Sequence, residues 1–294
     1  MSEIEQSIKG KIEAVGIPLR DWDIQINYGI KTGYNDAFVI TTDKRDEILA
    51  NCQNDEERAR TAEIIRPILR GRDIKRYEYE WAELWLIYIP WHFPLQTDES
   101  IQGASEQAEQ AFEELYPTIY SHLLQYKSQL SARNKAETGI RYEWYAMQRW
   151  GANYSDDFNK PKIVYAELAR TGNAFTIDTQ RMVIGNTSYM IAFDDVVDES
   201  RLYCLTGFLN SKVTLFYLDI SCSKFDENGW RWLRQYVENI PIPQYTSEIL
   251  QKEVANLLIE TTKEGLAHIN TIVYDIFGLT QEEIDYLERR YANY

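Results

Sequence analysis

A cationic run that leads straight into an apolar run most constrains how this chain folds. Residues 63–90 read EIIRPILRGRDIKRYEYEWAELWLIYIP. The uninterrupted apolar run at 84–89 predicts a strand that is buried on both faces. The turn before it is hinged at Gly71, where a missing side chain frees the backbone, and Asp73 is the single acid among its cations. These cations are Arg66, Arg70, Arg72, Lys75 and Arg76.

The cations of this turn predict a contact with phosphate, because guanidinium forks match phosphate oxygens and positive charge attracts anions. Ion pairing is an equally good interpretation, because acids flank the run on both sides. The turn KTGYN at 31–35 predicts a further phosphate contact through Lys31, Thr32 and backbone amides. A plain connection between two strands is the alternative there.

Residues 141–154 combine polar and aromatic side chains in a way that is typical of base recognition. Arginine, glutamine and asparagine reach base edges, whereas tyrosine and tryptophan stack on bases. The alternative is a loop that covers the core, which we expect of Trp144 and Trp150 because large aromatic residues mostly bury. The predicted base-contacting residues are Arg141, Tyr142, Gln148, Arg149 and Asn153.

Catalytic motifs are scarce, and we expect neither catalytic nor metal-binding residues. The sequence contains no phosphate-binding loop, dinucleotide-binding glycine motif or nucleophile elbow. Asp73 and Lys75 match half of a nuclease motif, but a metal-dependent nuclease needs a further carboxylate, and a salt bridge is the simpler interpretation. The three cysteines are too far apart to bind a metal together and predict reduced thiols.

The hydrophobic patterns predict an α+β fold with a mixed, mostly antiparallel twisted sheet, packed helices and a C-terminal helical arm. We expect a recognition body over residues 1–243 and the arm over 244–294. Predicted helices cover residues 3–15, 107–133, 201–218, 246–277 and 280–291, with a helix or turn at 62–69. Predicted strands cover residues 22–28, 84–89, 160–168 and 174–178, a strand that ends at 40, and a hairpin over 181–193.

The charge balance limits which partners are expected. The formal net charge is −15 and the pI is about 4.8, which argues against tight non-specific binding of DNA by the whole chain. A local basic face remains compatible with this, because short-range fields follow the distribution of charge. No apolar signal core or membrane-length apolar run occurs, so we expect a cytoplasmic protein without a membrane partner.

Eight segments resemble, in the same order, those of the TaqI-like C-terminal specificity domain. Together they make the chain similar to that family over about residues 22–288. The segments are GIKTGYNDAFVI (29–40), IIRPILRGRDIKRY (64–77), LWLIYIP (84–90), YPTIYSHLLQYKSQLSAR (116–133), KPKIVYAEL (160–168), LTGFLNSKVTLFYL (205–218), YVENIPIP (236–243) and VYDIFGLTQEEIDYLE (273–288).

The resemblance implies the target-recognition domain of a type IIG restriction–modification enzyme or adenine-specific DNA methyltransferase, with double-stranded DNA as partner. Methyl transfer and cleavage would belong to a methyltransferase/nuclease domain in the same or a separate chain. S-adenosylmethionine and Mg²⁺ are expected only in that domain, because its glycine-rich loop and Asn-Pro-Pro-Tyr motif do not occur here. We expect either an excised C-terminal fragment or a separate specificity subunit.

The resemblance also implies that segments shared within the family are framework, because its members recognise different sequences. Base recognition is then expected in irregular segments, above all 134–159, with 170–173 and 223–232 as further candidates. The cationic turn would hold the domain together, contact the catalytic domain or touch phosphates. Two other hypotheses stay open: a non-catalytic protein-interaction module, and an autonomous metal-dependent nuclease that uses Asp73 and Lys75.

Overall fold

The computed structural model describes residues 1–133, 141–170, 172–194, 198–222, 224–226 and 229–294, with residues 224–226 as backbone alone. The chain forms two compact units. Unit 1 comprises Met1–Tyr28, Arg70–Glu80 and Asp157–Tyr294, and unit 2 comprises Gly29–Leu69 and Trp81–Asp156. The cationic run is therefore divided, with Arg66 in unit 2 and its other cations in unit 1.

The helices of the described residues are, in chain order, α1 (Glu3–Val15), α2 (Asn35–Phe38), α3 (Thr42–Ala50), α4 (Asp55–Ile64), α5 (Glu106–Leu115), α6 (Pro117–Leu124), α7 (Lys127–Ser131), α8 (Glu199–Leu209), α9 (Lys212–Ser221), α10 (Arg234–Val237), α11 (Glu248–Ile259), α12 (Lys263–Ile276) and α13 (Gln281–Arg290). Short 3₁₀ turns cover Leu19–Asp21, Gly71–Asp73 and Ser155–Asn159. None of the described helices combines the length and hydropathy that crossing a lipid bilayer requires.

The strands of the described residues are β1 (Ile17–Pro18), β2 (Ile24–Tyr28), β3 (Val39–Thr41), β4 (Ile65–Leu69), β5 (Leu84–Ile87), β6 (Lys162–Ala166), β7 (Leu168–Ala169), β8 (Phe175–Asp178), β9 (Val183–Ile184), β10 (Ser188–Phe193), β11 (Lys224–Asp226), β12 (Gly229–Arg231) and β13 (Pro241–Ile242).

Unit 1 is built on a four-stranded antiparallel sheet in the order β2-β10-β6-β8. Ile191 in β10 lies opposite Ile26 in β2 and Ile163 in β6. β10 is buried at every position, as expected for a central strand that is apolar from Tyr189 to Phe193. Burial of these aliphatic side chains supplies the main favourable free energy of the unit.

Helices cover this sheet and complete the core of unit 1. α8 packs against β8, and α11 packs against α8. The approach of the two helices depends on Gly207, because a Cβ there would lie 2.9 Å from Val254 Cγ2 and 3.0 Å from Leu250 Cδ1. The α13 helix lies beside α1, where Glu283 accepts hydrogen bonds from Ser7 and Lys11.

Unit 2 contains the antiparallel strands β3, β5 and β4, with β5 in the centre. Its core is aromatic. The ring of Phe112 lies 4.5 Å from that of Tyr145 and 5.6 Å from that of Phe93, measured between ring centres. The helical segment predicted over 107–133 is α5, α6 and α7, and Pro117 opens α6 at a position where its missing amide hydrogen costs little.

The structure confirms the predicted α+β class. It also confirms the helix at 3–15 and the last helix, both of which begin with a capping box. The predicted boundary after residue 243 stays a prediction.

Two predicted long helices are wrong because polar residues interrupt them. The helix predicted over 201–218 is two helices, α8 and α9. Asn210, which lies between them, bonds both backbone groups of Phe175, and Ser211 caps α9. The helix over 246–277 is α11 and α12, with Thr262 as the second cap.

Four further local predictions are corrected. Residues 29–40 contain the helical turn α2 before the short β3, and residues 65–69 form strand β4 rather than a helix or turn. The predicted hairpin over 181–193 is absent as such, because β10 pairs with β2 and β6. The strand β5 is only half-buried at its first two residues, whereas its last two are buried.

Candidate nucleic-acid interface

Two segments that the sequence singled out separately lie side by side in unit 2. Lys31 and Arg149 form an antiparallel bridge, in which Lys31 N donates to Arg149 O at 2.8 Å and Arg149 N donates to Lys31 O at 2.9 Å. Gln148 N donates to Thr32 O at 3.3 Å. Two predicted phosphate-contacting residues and two predicted base-contacting residues therefore share one short backbone ladder.

The 31–35 turn is closed by its own side chains. Thr32 is buried, and its hydroxyl donates to Asn35 Oδ1 at 2.6 Å. Gly33 has φ +79°, in the region that favours glycine, and a Cβ there would lie 2.6 Å from Arg133 Cδ. The turn is thus held closely against Arg133, and the Thr32 hydroxyl serves the turn itself.

Arg133 is the buried centre of this region. Its guanidinium donates to three backbone carbonyls: Nε to Leu130 O at 2.9 Å, Nη1 to Thr32 O at 2.7 Å and Nη2 to Trp144 O at 2.6 Å. Burial lowers the pKa of Arg133, since desolvation opposes its charge. Arg133 is the last residue of the helical segment predicted over 107–133, and no local pattern distinguishes it.

A buried carboxylate anchors the start of the 141–154 segment. Glu143 is 2% exposed and accepts hydrogen bonds from His92 N at 2.7 Å, His92 Nδ1 at 3.0 Å and Ser105 N at 2.9 Å. Next to it, Tyr142 stacks on Trp91, with ring centres 5.1 Å apart and 8° between planes. Arg141, one residue earlier, is exposed.

The rest of this segment is pinned through main-chain carbonyls. Trp91 Nε1 donates to Met147 O at 2.8 Å, and the Tyr145 hydroxyl donates to Phe93 O at 2.8 Å. Gln148 is buried, whereas Asn153 is exposed. The predicted base-contacting residues therefore stand on an ordered framework.

Arg66, in β4, also lies in unit 2. Its guanidinium carbon lies 5.5 Å from the centre of the Tyr88 ring, and the Tyr88 hydroxyl donates to Trp150 O at 2.6 Å. Burial raises the pKa of Tyr88, so this hydroxyl remains a donor at neutral pH. Trp150 and Trp144, predicted as core residues, are half-buried.

The other cations of the predicted turn lie in unit 1, and three of them contact neighbouring side chains. Asp73 is 4% exposed and accepts from Arg70 N at 2.8 Å, Nε at 2.9 Å and Nη2 at 2.7 Å. This bonding raises the pKa of Arg70. Lys75 pairs with Glu80, and the Arg76 guanidinium carbon lies 3.9 Å from the centre of the Tyr294 ring. Arg72 is exposed.

The two further candidate loops contain core residues. Asn173 is buried and donates to Leu209 O at 2.7 Å, and Trp232 is fully buried. Arg170 is exposed. Residues 134–140, 171, 223 and 227–228 of the predicted loops lie outside the described residues, as do the side chains of 224–226.

The predicted nuclease half-motif is split between different partners. Asp73 is bonded to Arg70 through both carboxylate oxygens, and Lys75 pairs with Glu80. Within the described ranges, no cluster of three or more histidine, cysteine or acidic side chains has a geometry suited to a metal ion. Asp73 is thus engaged as the structural partner of Arg70.

Known proteins give this geometry a context. The type II methyltransferase M.MjaIV of Methanocaldococcus jannaschii is 22% identical over 272 residues, which are 90% of this chain and 77% of that protein. The type IIL restriction-modification enzyme MmeI, solved in complex with DNA, superposes with a TM-score of 0.53 at 12% identity, over 91% of this chain and 35% of MmeI.

The type IIG restriction endonuclease BpuSI gives a TM-score of 0.57 at 10% identity, over 99% of this chain and 32% of BpuSI. This chain thus spans about a third of each solved enzyme, and the likeness shows a shared fold. The model of the TaqI-like C-terminal specificity domain matches residues 66–242, which is more than half of the chain. As the order of its motifs predicted, the chain belongs to the TaqI-like C-terminal specificity domain family.

Proposed function

We propose that this chain recognises a short sequence in duplex DNA and positions a methyltransferase or nuclease domain on it. The observation that carries the proposal is the backbone ladder of Lys31, Thr32, Gln148 and Arg149. It brings Lys31 and Arg149, whose residue types suit phosphates, to the segment that carries the exposed Arg141 and Asn153, whose residue types suit base edges. The family membership supports the same function, and MmeI is a relative in fold that was solved with DNA.

The chemistry divides the work between two kinds of side chain. Lys31, Arg66 and Arg149 neutralise phosphates and fix the register of the protein on the duplex, without reading sequence. The exposed Arg141 and Asn153 reach base edges, where arginine pairs with guanine and asparagine with adenine. Base extrusion and methyl transfer fall to the partner catalytic domain.

The anchoring of residues 141–149 supports specificity as well as affinity. Side chains discriminate between bases only when their backbone holds them in a defined place, because a mobile donor adapts to several acceptors. Glu143 and the Trp91–Tyr142 stack supply that order at the start of the segment, and the bridge to Lys31 supplies it at the end. Arg141 lies next to this framework.

The test is binding of the full chain to a pool of random duplexes, at about 50 and 200 mM salt, with and without a methyltransferase domain. We expect retention of a limited set of sequences. The logarithm of the affinity should fall with that of the salt concentration by about 0.9 per phosphate contacted, hence about 2.7 for three cations. Absence of both sequence enrichment and salt dependence in every arm contradicts the proposal.

The same experiment addresses the protein-interaction hypothesis. Ile249 and Ile259 of α11 are 62% and 87% exposed, which favours a protein contact at that helix. A chain that serves only as a protein-binding module associates with the methyltransferase domain and retains no duplex at either salt concentration. Association together with sequence enrichment supports recognition, with α11 as a contact for the catalytic domain.

A further inference from the structure

We propose that Arg133 is the positioning residue of this interface, which holds the 31–35 turn and the 141–154 segment in register without touching DNA. The inference rests on the proposed function and deepens it. It assigns sequence discrimination in part to a buried side chain that contacts neither a base nor a phosphate.

The geometry carries the proposal. The three carbonyls that Arg133 binds belong to three segments: the end of α7, the 31–35 turn and the 141–154 segment. Thr32, the residue bound by Nη1, also accepts the Gln148 amide of the backbone ladder. Removing the guanidinium therefore releases the turn and the readout segment together.

The site is shaped for a guanidinium in particular. Arginine presents its donors in a rigid plane, so one side chain satisfies three carbonyls that point in fixed directions. Gly33 leaves room for its aliphatic chain, since a Cβ at Gly33 would come within 2.6 Å of Arg133 Cδ. Lysine carries the same charge as a point on a flexible chain and does not reproduce this fork.

The charge of Arg133 is supported by dipoles. In the described part of the chain its partners are carbonyl oxygens and the rings of Phe38 and Tyr142, and no carboxylate lies within ion-pair distance. A buried charge is screened by salt less than an exposed one. Arg133 therefore holds the three carbonyls through charge-assisted hydrogen bonds that salt weakens little.

A positioning cation and a contacting cation differ in a measurable way. A side chain that neutralises a phosphate releases counterions, so its removal reduces the salt slope by about 0.9. A buried arginine that only orders the backbone releases none. Its removal should flatten the sequence preference and leave the slope as it was.

The experiment uses the full chain with four variants on the random duplex pool. Arg133→Gln removes the charge and most of the fork, and Arg133→Lys keeps the charge and remains informative if the first variant does not fold. Lys31→Ala is the comparator for a contacting cation. Arg290→Gln is the matched structural control, because Arg290 bonds Asp219 and Glu5 in unit 1.

We expect both Arg133 variants to lose at least 10-fold in the ratio of specific to non-specific binding, with the salt slope of the parent chain. Lys31→Ala should lose slope, and Arg290→Gln should lower thermal stability but keep the discrimination ratio. The inference is overturned if the Arg133 variants lose slope as Lys31→Ala does, or if they keep full discrimination as Arg290→Gln does. Failure of the parent chain to bind any duplex refutes the proposed function instead, and is visible before any variant is made.

Discussion

Cationic residues lie in different surroundings in two parts of the molecule: the turn from Arg70 to Arg76 in unit 1, and the backbone bridge between Lys31 and Arg149 in unit 2. In unit 1, where the cations are densest in sequence, three of them contact side chains: Arg70 pairs with Asp73, Lys75 pairs with Glu80, and Arg76 lies over the ring of Tyr294. In unit 2, Lys31 and Arg149 are 118 positions apart and meet through backbone hydrogen bonds.

The density of charge along a sequence is therefore a poor guide to the position of a nucleic-acid interface. A cation and an acid three residues apart can form an ion pair within a single turn of chain, as Arg70 and Asp73 do. A surface that gathers cations from distant segments needs a fold to assemble it. The cationic turn that dominates the sequence is therefore framework in our interpretation, and the bridge in unit 2 is the candidate interface.

The largest expected effect tests the framework role of the unit 1 turn. Asp73→Ala leaves the Arg70 donors without their buried acceptor, so the free energy of unfolding should fall by about 3 kcal/mol. Urea denaturation measures this, with the exposed Glu78→Ala as control. Unchanged stability of Asp73→Ala would contradict a framework role for the turn. Loss of a metal-dependent DNA cleavage in Asp73→Ala would instead support the autonomous nuclease.

The second prediction concerns acid. Burial alone would raise the pKa of Glu283, but hydrogen bonds from Lys11, Ser7 and Thr280 outweigh it and lower the pKa to about 2. A lowered pKa stabilises the fold above the ordinary value of 4.5, and this contribution disappears as the pH falls from there towards 2. Glu283→Gln should thus cost about 2 kcal/mol at neutral pH and little near pH 2.

Urea denaturation of the parent chain and of Glu283→Gln at several pH values measures this. The matched comparison is Arg133→Lys in unit 2, whose partners are carbonyls that do not titrate in this range. Its destabilisation should stay constant between neutral pH and about pH 4. Equal pH dependence of the two variants would contradict the prediction that only the carboxylate of Glu283 responds to acid in this range.

The third prediction compares two arginines directly. Arg149→Ala should weaken duplex binding about 10-fold, or about 1.4 kcal/mol, and lower the salt slope by about 0.9. Arg76→Ala should leave the slope unchanged, because Arg76 packs on Tyr294. Fluorescence anisotropy with a fixed duplex at several salt concentrations separates the two. The reverse result would move the interface back to the cationic turn.

The smallest expected effect belongs to Arg72, which is exposed. Arg72→Ala should change the free energy of unfolding by less than about 0.5 kcal/mol, as surface substitutions usually do. If Arg72 is outside the interface, duplex affinity also stays within twofold. A drop in salt slope for this variant alone would show that the turn contributes one phosphate contact. The bridge in unit 2 would remain the candidate interface.

Local patterns were enough for the elements whose stability is largely local. Capping boxes and apolar spacing predict the helices at 3–15 and 281–290. The local pattern predicts β10 only as half of a hairpin, because its pairing with β2 and β6 involves distant segments. The breaks at Ser211 and Thr262 were also visible as cap residues within helical patterns. Apolar spacing continues across both positions, and this spacing by itself predicts a single helix at each place.

Sequence patterns were sufficient to predict the α+β class, the family and the residue types from which an interface is made. The tertiary structure alone decided which of those residues meet. Arg133 has no local signature, because its three carbonyl partners come from segments up to 101 residues away. The Arg70–Asp73 pair needs only a single turn of chain, whereas the Lys31–Arg149 bridge exists only once unit 2 has folded.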